Sequence, residues 1–231
     1  MAGTSAPVIV KSMTTSGSTP TVETWIAFAN ELRHAALRIF AASEVGGNGD
    51  DGKSQLQIAA LTLMARTLSN LEAALLLLRE KKIVEARVIA RCCYENSLWV
   101  LGLLKGGQKF KNEMIGHDMK HQRITLQTVF NSRVDLEEDR EEKLRQWMRD
   151  TKHWETSGTL TPKEVAKTTA DDSHIFYQFL SLDAHPTIHT LNRHFDPNDG
   201  DAGGIVVEPK MKVSEEIETL NLLCLPVLGV F

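Results

Sequence analysis

Cysteine is scarce in this chain of 231 residues, and the three present, Cys92, Cys93 and Cys224, make an odd count. The adjacent pair cannot bridge within a helix, which argues against a secreted disulfide framework and for the reducing cytoplasm. The start, Met1-Ala-Gly-Thr-Ser-Ala-Pro7, lacks the basic residues and apolar core of a secretory signal. No stretch approaches the roughly 18 to 20 consecutive apolar residues of a membrane span, so a soluble cytoplasmic protein with no membrane partner is expected. A basic excess is missing too. The 26 Lys and Arg are outnumbered by 30 Asp and Glu, a net charge of −4, which argues against a general binder of nucleic acid while leaving room for a local basic patch.

Several motifs are also absent. There is no Gly-x-Ser-x-Gly elbow. The glycine-rich Gly46-Gly-Asn-Gly-Asp-Asp-Gly52 has no Lys-Ser/Thr in place and no preceding strand, so it does not read as a phosphate loop. Trp25, Trp99, Trp147 and Trp154 fall at core or loop positions and form no platform for stacked bases. Cys92 and Cys93 lie in an apolar helical pattern, where thiols behave as small hydrophobes.

What is present is helical periodicity. With 42% hydrophobic and 24% charged residues the chain can bury one sizeable core, and one domain is expected. Residues 1–20 read as a flexible Ser/Thr/Gly/Pro tail and residues 21–231 as an all-α, up-and-down bundle of six to seven helices. From Trp25 to Phe40 apolar residues recur every three or four positions. Residues 54–80 and 83–105 are apolar over much of their girth; the Lys81-Lys82 turn makes them an antiparallel hairpin, and Gly106-Gly107 stops the second. Residues 110–131 and 136–152 read as wetter helices, the charge-rich run from Glu137 to Lys143 being a solvated face. Residues 154–162 read as a loop, followed by a helix that starts near Pro162 or Ala170 and ends at His185-Pro186. A turn-rich loop over 196–204 and a short edge strand over 204–208 precede a last helix capped by Ser214. The apolar end, Leu225 to Phe231, is buried against the bundle or a partner, or the natural chain continues past it.

Two segments place charged or ring-polar groups inside apolar helical patterns: Glu85-Ala-Arg87-Val-Ile-Ala-Arg91-Cys-Cys-Tyr94-Glu95, and Tyr177-Gln-Phe-Leu-Ser181-Leu-Asp183-Ala-His185-Pro186-Thr187. Unpaired charges are costly in such settings, so the two segments are expected to face each other. Arg87, Arg91 and Glu95 share a face at four-residue spacing. They suit either an intrahelical Arg91–Glu95 ion pair or two guanidinium groups directed at a small anion or at the second segment. Tyr177, Ser181 and His185 fall close together on their own helix. His185 is the candidate for proton transfer or anion contact, and a structural histidine closing the helix end is the alternative. His189 and His194 extend the polar strip. Glu113, His117 and His121 also recur every four residues, but Asp118 stands where a zincin helix needs Glu and no third ligand follows. They read as a solvated face, with no metal and no cofactor expected.

The two segments together resemble a bacterial family known as domain of unknown function 5677. The resemblance rests on Glu85, Ala86, Arg91 and Glu95, then on Tyr177, Leu180, Ser181, His185, Pro186 and Thr187. That family is similar in turn to the HEPN superfamily, helical bundles that often dimerise and include metal-independent ribonucleases of toxin and antiviral systems. The resemblance implies a bundle of that kind. Set on the HEPN signature of Arg, a polar residue and a later His, Ser181 takes the polar place and His185 the histidine place, but Leu180 stands in the arginine place. The first expectation is therefore a non-enzymatic, dimer-forming bundle in which Arg87, Arg91, Glu95, Tyr177, Ser181 and His185 make a structural network or hold a small anionic ligand. The second is an endoribonuclease with His185 as general acid/base and Arg91 as phosphate clamp. The third is an interaction module docking through the apolar carboxyl-terminal end. Expected partners are a second copy of the chain and either RNA or a small anion.

Overall fold

A computed structural model describes residues 20–44, 52–132, 134–169, 172–198, 203–209 and 212–230. The expected amino-terminal tail, the body of the Gly46–Gly52 segment and the middle of the 196–204 loop lie outside them. The fold is an all-α helical bundle. Among the described residues there are eight α-helices: α1 (Val22–Ala42), α2 (Gly52–Arg79), α3 (Ile83–Asn131), α4 (Glu138–Asp150), α5 (Pro162–Thr169), α6 (His174–Ala184), α7 (Ile188–Arg193) and α8 (Val213–Val230). A 3-10 turn covers Lys152–Thr156, and β1 (Phe195–Asp196) pairs antiparallel with β2 (Gly204–Ile205).

The chain forms two compact units. The first takes residues 20–43, 64–97 and 175–230, and the second takes residues 52–63 and 98–174. In the first, α1 packs against α8, and Trp25, Ala29, Leu71, Leu75, Tyr94, Leu180, Leu220, Leu223 and Val227 share one core. Near the carboxyl-terminal end of α8, Leu222, Leu223, Cys224 and Val227 are buried in this core while Leu228 is exposed, and the helix runs on through Pro226. In the second unit Leu98, Leu103, Phe110, Val165 and Ala166 form a smaller core.

Local chemistry explains where elements begin and end. Thr21 caps α1 by accepting the Thr24 N–H on its hydroxyl. Thr161-Pro-Lys-Glu164 is a capping box with proline in the first turn: the Thr161 hydroxyl accepts from Glu164 N–H, and the Glu164 carboxylate accepts from Thr161 N–H at 3.0 Å. The α2–α3 turn is a Schellman motif, with Lys82 N–H donating to Leu77 O at 2.8 Å and Lys81 N–H to Leu78 O at 3.1 Å. Lys81 occupies the left-handed position, φ 59°, where glycine is usual, and its ammonium is held by the buried carboxylate of Glu216 at 2.6 Å.

Gly107 ends the first helical segment, as expected from the Gly106-Gly107 pair. Helical structure resumes directly after it, so residues 83–131 form two segments meeting at a break with φ 53° and ψ −137°. Phe110 folds back across the break, and a Cβ on Gly102 would stand 2.2 Å from its ring. The segment expected to run to His185 is two helices, α5 and α6. As the charge pattern predicts, α4 has no buried residue, and Arg145–Glu141 and Arg149–Glu142 pair on its surface at 2.6 Å. By length and composition α2 alone among the described helices could cross a membrane; Leu68, Leu71, Ala74, Leu75 and Leu78 on it are core residues.

Candidate functional site

The polar residues of α3 and α6 meet in the first unit. Arg91 Nε donates to Ser181 Oγ at 2.9 Å, Arg91 Nη2 donates to the Tyr177 hydroxyl, and the guanidinium carbon stands 4.5 Å from the Tyr177 ring centre. Ser181 is oriented by its own bond to Tyr177 O, 2.7 Å. One guanidinium is therefore gripped by two neutral oxygens and a ring face, an arrangement that uses its planar fork.

One helical turn away lies a stronger cluster. Arg87 Nε donates to Asp183 Oδ2 at 2.6 Å, and neither side chain is more than 1% exposed. Arg193 of α7 donates to the other oxygen, Asp183 Oδ1, at 2.7 Å. The outer ends of both guanidiniums are met by α8: Arg87 Nη1 reaches Glu218 Oε2 at 3.3 Å and Thr219 Oγ1 at 3.2 Å, and Arg193 Nη1 reaches Glu215 Oε1 at 2.5 Å. The result is a chain of alternating charge, Glu218–Arg87–Asp183–Arg193–Glu215. Its middle is dry and its ends are wetter, Glu218 being half exposed. Phe179 lies over the Arg87 guanidinium, 4.9 Å from its ring centre. Each buried charge has an opposite charge within hydrogen-bond distance, the condition under which such groups are tolerated.

Of the residues singled out in the sequence, Arg91, Tyr177 and Ser181 come together, and Arg87 joins the adjoining ionic chain. Glu95 forms no ion pair among the described residues, so Arg91 turns to α6 rather than along its own helix. His185 stands exposed in the turn after α6, where its carbonyl accepts from Thr187 N–H. His189 approaches Asp183 Oδ1 at 3.6 Å, and His194 Nδ1 lies 3.0 Å from Val206 O. His117 and His121 belong to the second unit, with rings 4.4 Å apart. Among the described residues no group of three His, Cys, Asp or Glu side chains is placed to hold a metal ion.

Sequence reasoning passed over the centre of the site, Asp183, and its partners Arg193, Glu215 and Glu218. The signal for Asp183 was present, since it is the sole carboxylate in the apolar helix His174–Ala184. Nothing local marked Arg193 or the α8 carboxylates, whose role depends on a long-range contact.

Buried thiols complete the electrostatics. Desolvation pushes Cys93 and Cys224 up to about 12, so both are inert hydrophobes at neutral pH. On the surface, Lys82 and Glu208 pair, which raises the lysine and lowers the glutamate from their ordinary values.

No curated protein and no solved structure matches this chain. A family model does, over residues 57–202, a span that holds Arg87, Arg91, Tyr177, Ser181, Asp183 and Arg193 and stops short of α8. With most of its length matched, the chain belongs to the family of unknown function DUF5677.

Proposed function

We propose that this protein is a non-enzymatic, self-associating binding or scaffolding module of the HEPN-like kind, docking to a second copy of itself through the outer faces of α6 and α7. The carrying observation is that α6 leaves large apolar side chains uncovered as well as burying Leu180. Leu180 faces the core, Phe176 and Phe179 flank it and stay partly exposed, and Ile175 and Leu182 are exposed, followed by Ile188 and Leu191 on α7. A contiguous exposed apolar patch of this kind marks an interaction surface. The Thr190 and Thr187 hydroxyls both donate to Leu182 O, which ties the two helices end to end. These six side chains expose on the order of 600 Å² of apolar surface, most of the roughly 800 Å² that each partner contributes to a stable interface.

The polar cluster supports a structural role for the same reason that it disfavours cleavage. Arg91 is already committed to Tyr177 and Ser181, and His185 is outside the cluster. The alternative, a metal-independent ribonuclease of a toxin or antiviral system, needs both groups at one phosphate. Sedimentation of wild type against Ile188→Lys/Leu191→Lys tests the proposal: a dimer that becomes a monomer with unchanged circular dichroism is expected, and a monomeric wild type overturns it. Chelator-resistant cleavage of a mixed RNA pool that His185→Ala abolishes would instead establish the nuclease.

A further inference from the structure

In the second unit the segment Ser157–Thr161 lies along the outer half of α3 and is held there by two side chains. Lys120 Nζ donates to Ser157 O at 2.9 Å. The Leu160 N–H donates to His117 Nδ1 at 3.0 Å. A backbone amide can be accepted by a ring nitrogen only when that nitrogen carries a lone pair, so this contact requires a neutral imidazole with its proton on Nε2. Protonation puts a second donor where the acceptor was.

We propose that His117 is a pH-operated latch, and that mild acid frees Leu160 and with it the Ser157–Thr161 strap. The surroundings favour release once the ring is charged. His121, one turn on, has its ring centre 4.4 Å away, edge to face, and offers no negative charge to hold a protonated His117 ring. Lys120 is the other strap anchor and adds a positive charge. Of the carboxylates nearby, Glu155 is bound by Arg123, and Glu164 is taken by the Thr161 amide and hydroxyl. Glu113, one turn before His117, pairs with Lys109 at 4.0 Å, and Asp118 accepts from Gln122 on the far side. The Trp99 ring, 6.5 Å from the imidazole, offers a weak cation contact that opposes release.

Release has a structural consequence. Leu160 packs on the smaller core and walls a cleft of about 230 Å³ between Phe110, Glu113, Val165 and Thr168. With the latch open the cleft loses that wall, while the capping box keeps α5 helical.

Amide hydrogen exchange of the full chain, corrected for the intrinsic effect of pH, reads the latch at Leu160. Protection is expected to fall about tenfold between about pH 7.5 and 5.5, in step with the His117 ring followed by NMR in the same samples. In His117→Gln, whose side-chain oxygen accepts without titrating, the fall should be less than about twofold. An unchanged protection factor while His117 titrates overturns the proposal, and so does an equal fall in His117→Gln. Should the variant not fold, wild type decides alone, because separate midpoints for Leu160 and His117 would refute the latch.

Discussion

Asp183 shares its two carboxylate oxygens between Arg87 and Arg193, at 2.6 and 2.7 Å, and so joins α3, α6 and α7 through one side chain. Removing it takes the inner partner from two cations, one of them fully buried, and leaves each only its α8 carboxylate. Asp183→Ala should therefore destabilise by about 3–5 kcal/mol. The double change Arg87→Met/Asp183→Leu should recover part of that loss, because it removes the buried unpaired cation while Arg193 keeps Glu215. Urea unfolding midpoints of the two variants make the comparison, and equal losses would contradict it.

Arg91 and Glu95 should behave unequally although they lie one turn apart. Arg91→Ala loses bonds to Ser181 and Tyr177 together with the ring contact, and should cost about 1.5–3 kcal/mol. Glu95→Ala removes no ion pair and should stay within about 0.5 kcal/mol of wild type. Arg91→Lys should restore little, since an ammonium cannot span both oxygens and cover the ring. Thermal melts at matched pH give all three numbers.

The break at Gly107 makes two glycines necessary. Gly107→Ala forces a side chain into φ 53° and should cost about 1 kcal/mol or more. Gly102→Ala meets the Phe110 ring and should cost about 1–3 kcal/mol, part of which Phe110→Leu should return. A double-mutant cycle showing no coupling between positions 102 and 110 would refute the packing account.

Alkaline stability depends on the two buried thiols. Their folded values are about 12, against 9.0 for a free thiol. Above about pH 9 the unfolded chain gives up protons that the folded state keeps, so this contribution is whole below that pH and is lost toward 12. The slope is at most about 2.7 kcal/mol per pH unit for the pair, and Cys224→Ala should reduce it by about 1.4. At pH 8 a thiol reagent should modify no more than Cys92 in the native protein and all three cysteines in denaturant.

Much of the fold was legible because it rests on local signals. Thr21, the Lys81-Lys82 turn and the charge run of α4 each announce an element through side chains within a few residues. Gly107 was legible as a break but not as one that helical structure follows at once, since that depends on Phe110 packing back over Gly102. The separation into two cores left no mark in composition. At the site, the facing of α3 and α6 followed from charges in apolar settings, whereas Glu215 looks like an ordinary first-turn residue of α8 and Glu218 like a solvated residue of its second turn. Only tertiary contact turns them into the ends of an ionic chain.

Lys81 sits in a left-handed turn with Glu216 as its counter-ion, and α8 also closes the core around α1. Both partners of that helix are made more than a hundred residues earlier during synthesis. A nascent chain that has left the ribosome as far as α7 carries an open first core, a strained turn and uncovered faces on α1 and α3. The second unit, complete by residue 174, can settle before then. Arrested chains ending before residue 213 should accordingly be the species that chaperones hold and proteases clear.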